Sequence, residues 1–178
     1  MLQINETLYS LLFESKFTNE EAFLKVVQLN QGILVKVCTM YRTDSEERRD
    51  LYQEIVLQLW RAFPKFRAEA KISTWIYQIA LNTAITDYRR SQKMSVQIGL
   101  SEQVMEIPDD SDSEEWQEKI QWLYRAIETL SDAEKAITML YLDEKKYDEI
   151  AEILGISSGN VRVKMYRIQE KLRQLKTT

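Results

Sequence analysis

The stretch from Tyr147 to Arg167 restricts this chain more than any other. Tyr147, Ile150, Ala151 and Leu154 repeat at helical spacing, and Gly155 follows the last of them. Glycine just past a last turn enters the left-handed conformation without a Cβ clash, so a stop is predicted there. Ser157 is a good N-cap for a second helix that begins within three residues. Two short helices joined by a tight glycine-containing turn describe a helix-turn-helix. In the second helix Val161, Met165, Ile168, Leu172 and Leu175 form one inward stripe, while Asn160, Arg162, Val163, Tyr166 and Arg167 point outward with Lys164 at the flank. A basic outer face with one amide suits the major groove, where Arg and Lys reach guanine edges or phosphates and Asn reads adenine. The same pattern also describes a solvated basic face on an ordinary helical hairpin.

Composition narrows the remaining choices. The 178 residues include two prolines, four glycines and 44% apolar side chains, which favours a helical chain of one large or two small domains. Cys38 is the only cysteine and there is no histidine. An intrachain disulfide, a Ser-His-Asp triad and a Cys-His pair are therefore excluded, and most zinc sites with them. No cofactor and no enzymatic activity are expected. No run reaches the ~18 apolar residues of a membrane span, and the N-terminal residues lack a basic-then-apolar signal pattern, so a cytoplasmic protein without membrane insertion is expected. The overall charge is −4, which is unpromising for a nucleic-acid binder until it is mapped. Residues 61–93 set seven cations against two carboxylates, a net +5, and residues 157–178 set six against one, again +5. Between them 102–118 carries eight carboxylates and no cation. Local fields of this kind, rather than net charge, steer a polyanion.

Taken in order, the chain reads as all-α, with two small helical domains joined by an acidic flexible linker. A short helix is predicted around Leu8 to Phe13. A longer one from about Asn19 has Ala22, Phe23, Val26, Val27, Ile33, Leu34, Val37, Cys38 and Tyr41 as its core stripe. The next helix, about Ser45 to Phe63, buries Leu51, Tyr52, Ile55, Val56, Leu59, Trp60 and Phe63. Its other side carries Asp50, Gln53, Glu54, Gln58 and Arg61 around Leu57. Leu57 is either an ordinary exposed leucine or the anchor of a protein-binding patch. Pro64 ends that helix, and after a loop of mixed charge Ser73 or Thr74 caps a helix running to about Arg90. Its polar stripe holds Gln78, Asn82, Thr86 and Arg89 together with Trp75. With Phe66 nearby, Trp75 is either a stacking platform for unpaired bases or a cap on the core. Residues 91–115 lose periodicity and read as linker, either an inert tether or an acidic strand that occupies a channel built for nucleic acid. A helix resumes at Glu115 with Trp116, Ile120, Leu123, Tyr124, Ile127 and Leu130 on one face. Ser131-Asp-Ala-Glu134 is a capping box for the next helix, with Ala133, Ile137, Leu140 and Tyr141 inward.

Three motifs in this order make the whole chain resemble a bacterial RNA polymerase sigma factor of the extracytoplasmic-function group, a branch of the sigma-70 family. Asp50-Leu-Tyr-Gln-Glu-Ile-Val-Leu-Gln-Leu-Trp60 is similar to region 2.2. Phe66-Arg67 with Ser73-Thr-Trp-Ile-Tyr-Gln-Ile-Ala-Leu-Asn82 and Arg89-Arg90 is similar to regions 2.3 and 2.4. Leu130-Ser-Asp-Ala-Glu134 through Gly159-Asn-Val161 is similar to region 4. The resemblance implies a region 2 domain over 1–93, a linker over 94–115 and a region 4 domain over 116–178. It implies that Asp50, Gln53, Glu54, Leu57 and Arg61 bind the clamp helices of the polymerase largest subunit, and that the second domain docks on the flap. Phe66, Arg67, Lys71, Ser73, Trp75, Gln78, Asn82, Arg89 and Arg90 then serve the −10 element, where the loop at 65–73 captures a flipped base. Ser158, Asn160, Arg162, Val163, Lys164, Tyr166 and Arg167 serve the −35 element. An anti-sigma partner is implied as well. Two departures stand out: the aspartate usual four residues after the region 2.4 asparagine is Thr86 here, with Asp87 next to it, and Asn160 and Val163 replace a threonine and a polar residue. The competing reading of the same motifs is a helix-turn-helix regulator that acts without polymerase.

Overall fold

The computed structural model describes residues 18–98, 122 and 125–177. The helix expected around Leu8 to Phe13, most of the linker, and Trp116, Ile120, Leu123 and Tyr124 lie outside the described residues. The chain divides into two compact units, Met1–Ser101 and Glu102–Thr178. The described residues are helices and turns without a strand.

The first unit consists of α1 (Asn19–Tyr41), α2 (Ser45–Ala62), a 3₁₀ turn (Phe63–Lys65) and α3 (Ile72–Ile98), each helix packed on the other two. Thr18 caps α1: its hydroxyl accepts from the Glu21 N–H at 3.3 Å, and the Glu21 carboxylate accepts from the Thr18 N–H at 3.0 Å. Asp44 caps α2 by accepting from the Glu46 and Glu47 N–H groups at 2.8 and 3.0 Å. Those bonds hold its carboxyl below the usual range. Leu34, Val37, Ile55, Ile76, Ala80 and Ala84 form the dry centre. Each of the larger ones contributes about 1.5–3 kcal/mol of transfer free energy. Asn30, absent from the predicted stripe, is buried with them because its side-chain amide donates to the Val26 carbonyl at 2.8 Å.

Two boundaries differ from the sequence expectation. The α3 helix starts at Ile72, with the Trp75 N–H bonded to the Lys71 carbonyl at 3.1 Å, so Ser73 and Thr74 lie inside the first turn instead of capping it. Burial of Ile72 and Thr74 anchors that turn. At its other end α3 continues to Ile98, past Arg90, because no proline or glycine interrupts it before Gly99.

The second unit contains helical residues 125–128, α4 (Asp132–Leu142), α5 (Tyr147–Leu154) and α6 (Ser158–Thr177). The Ser131–Glu134 capping box forms, with the Ser131 N–H donating to the Glu134 carboxylate at 2.8 Å. Burial raises the Glu134 carboxyl, but the Ser131 bonds and the nearby Lys171 and Lys164 charges outweigh it and hold the group below its ordinary value. Lys171 also donates to the Thr129 carbonyl at 2.5 Å, tying α6 to the start of α4. The predicted inward face of α4 needs correction. Ala133 and Tyr141 are exposed, whereas Lys135 through Leu140 are all buried. The α4 helix packs on both α5 and α6, so its middle is enclosed on more sides than a single stripe describes.

Candidate nucleic-acid and partner interfaces

The turn between α5 and α6 forms as its residues dictate. Gly155 sits at φ 65°, ψ 33°, and the Ile156 N–H returns to the Ala151 carbonyl at 3.1 Å. The Ser157 hydroxyl accepts from the Asn160 N–H at 3.2 Å and starts α6. Ile150, Ala151 and Ile153 of α5 pack inward with Val161, Met165 and Ile168 of α6. Leu172 is half-buried and Leu175 is exposed, so the predicted inward stripe fades after Ile168. Asn160, Arg162, Val163, Tyr166 and Arg167 are exposed, and Ser158 and Lys164 are half-buried.

In the first unit the structure brings together residues that the sequence treated as separate groups. A groove of about 810 Å³ runs between α2 and α3. Asp50, Glu54 and Gln58 line its α2 wall, and Asn82, Thr86 and Arg90 line its α3 wall. Gln53 and Leu57 are not in it. They border a second, apolar recess of about 400 Å³ with Phe23, Tyr52, Val56 and Trp60. The outer face of α2 is thus split between two recesses. Trp60, expected inside, is 37% exposed beside Leu57 at 40%. Burial, and after it the nearby Cys38 thiol, raise the Tyr52 hydroxyl above its ordinary pKa. Arg61 is exposed on the same helix.

The recess is joined to the loop before α3 by a run of aromatic rings. Trp60 meets Phe23 at 5.0 Å, Phe23 meets Phe63 at 5.4 Å, Phe63 meets Trp75 at 6.4 Å, and Trp75 meets Phe66 at 5.0 Å. Trp75 is held by the core ring Phe63 and is half-buried beside the loop ring Phe66. Arg67 and Lys71 are exposed on that loop, and Ser73 and Gln78 are half-buried at the start of α3. Ala68 adopts φ 55°, the left-handed region that side chains with a Cβ rarely enter, so the loop bends sharply between Arg67 and Glu69. Further along α3, Asn82, Arg89 and Arg90 are exposed. The Thr86 hydroxyl donates to the Asn82 carbonyl at 2.7 Å.

Comparison with known proteins matches both units to one family. The family model for Sigma-70 region 2 matches residues 26–94, and that for Sigma-70, region 4 matches 120–172. The ECF RNA polymerase sigma-E factor of Escherichia coli strain K12 is 30% identical over 165 residues, 86% of each chain. The ECF RNA polymerase sigma factor SigW of Bacillus subtilis strain 168 is 26% identical over 167 residues, 88% of this chain and 89% of that one. The chain belongs to the ECF branch of the sigma-70 family. The fold is shared with CnrH in its complex with the cytosolic domain of CnrY, at TM-score 0.68 and 16% identity over 97% of both chains. It is shared too with RpoE in complex with the anti-sigma factor NepR from Bartonella quintana, at TM-score 0.63 and 18% identity over 89% of this chain and 96% of that one.

In this sigma factor the sequence reading missed Arg42. Its guanidinium is 9% exposed and donates to the Asp87 carboxylate and, at 2.9 Å, to the Ser91 hydroxyl. It also lies 3.5 Å from the Glu47 carboxylate and over the Tyr88 ring at 5.9 Å. One cation at the end of α1 thus ties both α2 and α3. At the Thr86–Asp87 departure, the carboxylate of Asp87 is turned to Arg42, and the preceding position carries a neutral threonine. No local pattern could have exposed this pairing across 45 residues. Among the described residues no cluster of three His, Cys, Asp or Glu side chains is placed to hold a metal, and no helix is long and apolar enough to cross a membrane.

Proposed function

We propose that this sigma factor binds core RNA polymerase, directs it to promoters and helps to open the −10 region. The observation that carries the proposal is the outer face of α6, where Arg162, Val163, Tyr166 and Arg167 are exposed on a helix whose opposite stripe is buried. A helix presented in this way fits a major groove, and here the site is the −35 element. In the first unit, exposed Arg67 and Lys71 beside the Phe66–Trp75 ring pair suit an unpaired strand. Stacking and phosphate contacts there offset the few kcal/mol that unpairing a base costs. Asn82, Arg89 and Arg90 extend that surface along α3. Asp50, Gln53, Glu54, Leu57 and Arg61 on α2 serve the clamp helices of the polymerase, and the second unit docks on the flap. An anti-sigma partner completes the proposal; the CnrH and RpoE structures, both complexes, support it by fold analogy.

The test is reconstitution with core polymerase followed by permanganate footprinting. Thymine reactivity near −10 that depends on this chain is the expected result. Tight, specific DNA binding by the free protein together with no complex with core would replace the proposal with a polymerase-independent regulator.

A further inference from the structure

The direction in which each α6 side chain leaves the helix separates Arg162 from Val163, Tyr166 and Arg167. Val161, Met165 and Ile168 are at most 4% exposed and define the inward direction. At roughly 100° per residue, Gly159, Val163 and Glu170 lie closest to the opposite line. Tyr166 and Arg167 fall on either side of it, within roughly 60°. Arg162 leaves on one flank roughly a quarter turn away, and Lys164 leaves on the other. Lys164 is half-buried and close enough to Glu134 of α4 to lower its carboxyl, which places that flank against the body of the unit.

Before Glu170 the centre line carries Gly159 and Val163 and no charge, with Tyr166 to one side and Arg167 to the other. Val163 is 50% exposed and Tyr166 is 65% exposed. Gly159 has open space where a Cβ would stand, so the helix backbone can approach a surface closely at its first turn. The first carboxylate on the line is Glu170, which pairs with Arg173 at 2.5 Å. A carboxylate facing phosphates is repelled, so close contact is confined to the turns before it. In the major groove the one apolar group on a base edge is the thymine C5 methyl, and the bidentate acceptor pair is guanine O6/N7.

From this we infer that Val163, with Tyr166 beside it, reads the thymine methyl of an A·T pair, that Arg167 reads a neighbouring guanine, and that Arg162 holds a phosphate on the groove wall without reading sequence. This deepens the proposed function and rests on α6 being the −35 reader. It separates Arg162 from Arg167, two cations that composition alone treats as equivalent.

The experiment uses the full chain assembled with core polymerase and promoter fragments whose upstream element is randomised, with bound fragments sequenced. An enriched element containing adjacent A·T and G·C pairs is expected. In that element, replacing thymine by uracil at the methyl position should weaken wild-type binding about fourfold, the equivalent of one buried methylene. Val163→Ser should abolish that sensitivity. Arg167→Ala should lose about tenfold or more on the enriched element and relax the guanine position. Arg162→Ala should weaken all sequences alike and lower the salt slope by about one. These side chains are exposed, so their replacement leaves the core intact. If no upstream element is enriched, the −35 reading itself fails. If an element is enriched but Val163→Ser retains the full thymine-over-uracil preference, or Arg167→Ala loses equally on every sequence, the −35 reading stands and this assignment is overturned.

Discussion

Replacing Arg42 by methionine tests whether one buried cation organises the first unit. The guanidinium is 9% exposed, whereas its partners Asp87 and Glu47 are 40% and 50% exposed. Removing one side of a fully buried pair costs about 3–5 kcal/mol. Asp87 can regain water once its partner is gone, which discounts the loss to about 2–3 kcal/mol. The Ser91 bond and the Tyr88 contact are included in that figure. Asp87→Asn should cost about 1–2 kcal/mol, and the double variant should fall short of the sum by about 1–2 kcal/mol, because the two residues share one interaction. Arg42→Lys should lie between wild type and methionine, since an ammonium cannot reach Asp87, Ser91 and Glu47 with one planar fork. The readout is native-state hydrogen exchange on peptides from 72–90 in the full chain, which reports opening of α3 separately from the second unit. Additivity within about 0.5 kcal/mol would show that Arg42 and Asp87 act independently and would refute the tie from Arg42 to α3.

Four further outcomes are expected. Leu57→Ala combined with Glu54→Ala should weaken core-polymerase binding by at least tenfold, about 1.4 kcal/mol, with unchanged circular dichroism; unchanged affinity in a fluorescence titration would remove this face from the proposed interface. Gly155→Ala should destabilise the second unit by about 1–2 kcal/mol in urea unfolding, because φ is 65° there; a neutral result would mean that the turn relaxes. Thr138 is buried and its hydroxyl has no hydrogen-bond partner among the described residues, so Thr138→Val should stabilise by about 1 kcal/mol, and a loss in the same assay would contradict that. Burial pushes the Cys38 thiol up to about 11 despite the opposing Arg48 charge. The folded thiol therefore stays protonated where an unfolded one ionises. Its contribution is fully present below the ordinary thiol value and is lost as pH rises from there through about 11. A thiol reagent at pH 8 should modify Cys38 only after unfolding; fast reaction of the native chain would overturn its assigned burial.

Local features were the most legible in the sequence. The left-handed residue at Gly155, the Ser157 cap and the Ser131–Glu134 box each depend on residues within four positions, so composition and order determine them. The outward face of α6 was equally readable as far as Ile168, since helical periodicity states which side turns from the core. Periodicity does not state what a helix turns toward. It assigned Tyr141 and Ala133 to the core of α4, and it could not foresee that α4 would be enclosed on several sides. It placed Leu57 and Glu54 on one face of α2, which packing then divided between an apolar recess and a polar groove.

By itself, then, the sequence determined the helices, the Ser131 and Ser157 caps, the helix-turn-helix and the charge carried by each segment. These follow from hydrogen bonds and conformational preferences that act over one or two turns. Only the tertiary structure decided that Arg42 meets Asp87, that Asn82 shares a groove with Glu54, and that aromatic rings connect Trp60 to Phe66. Those contacts join residues remote in the chain, and close packing of whole helices selects them where no local preference can.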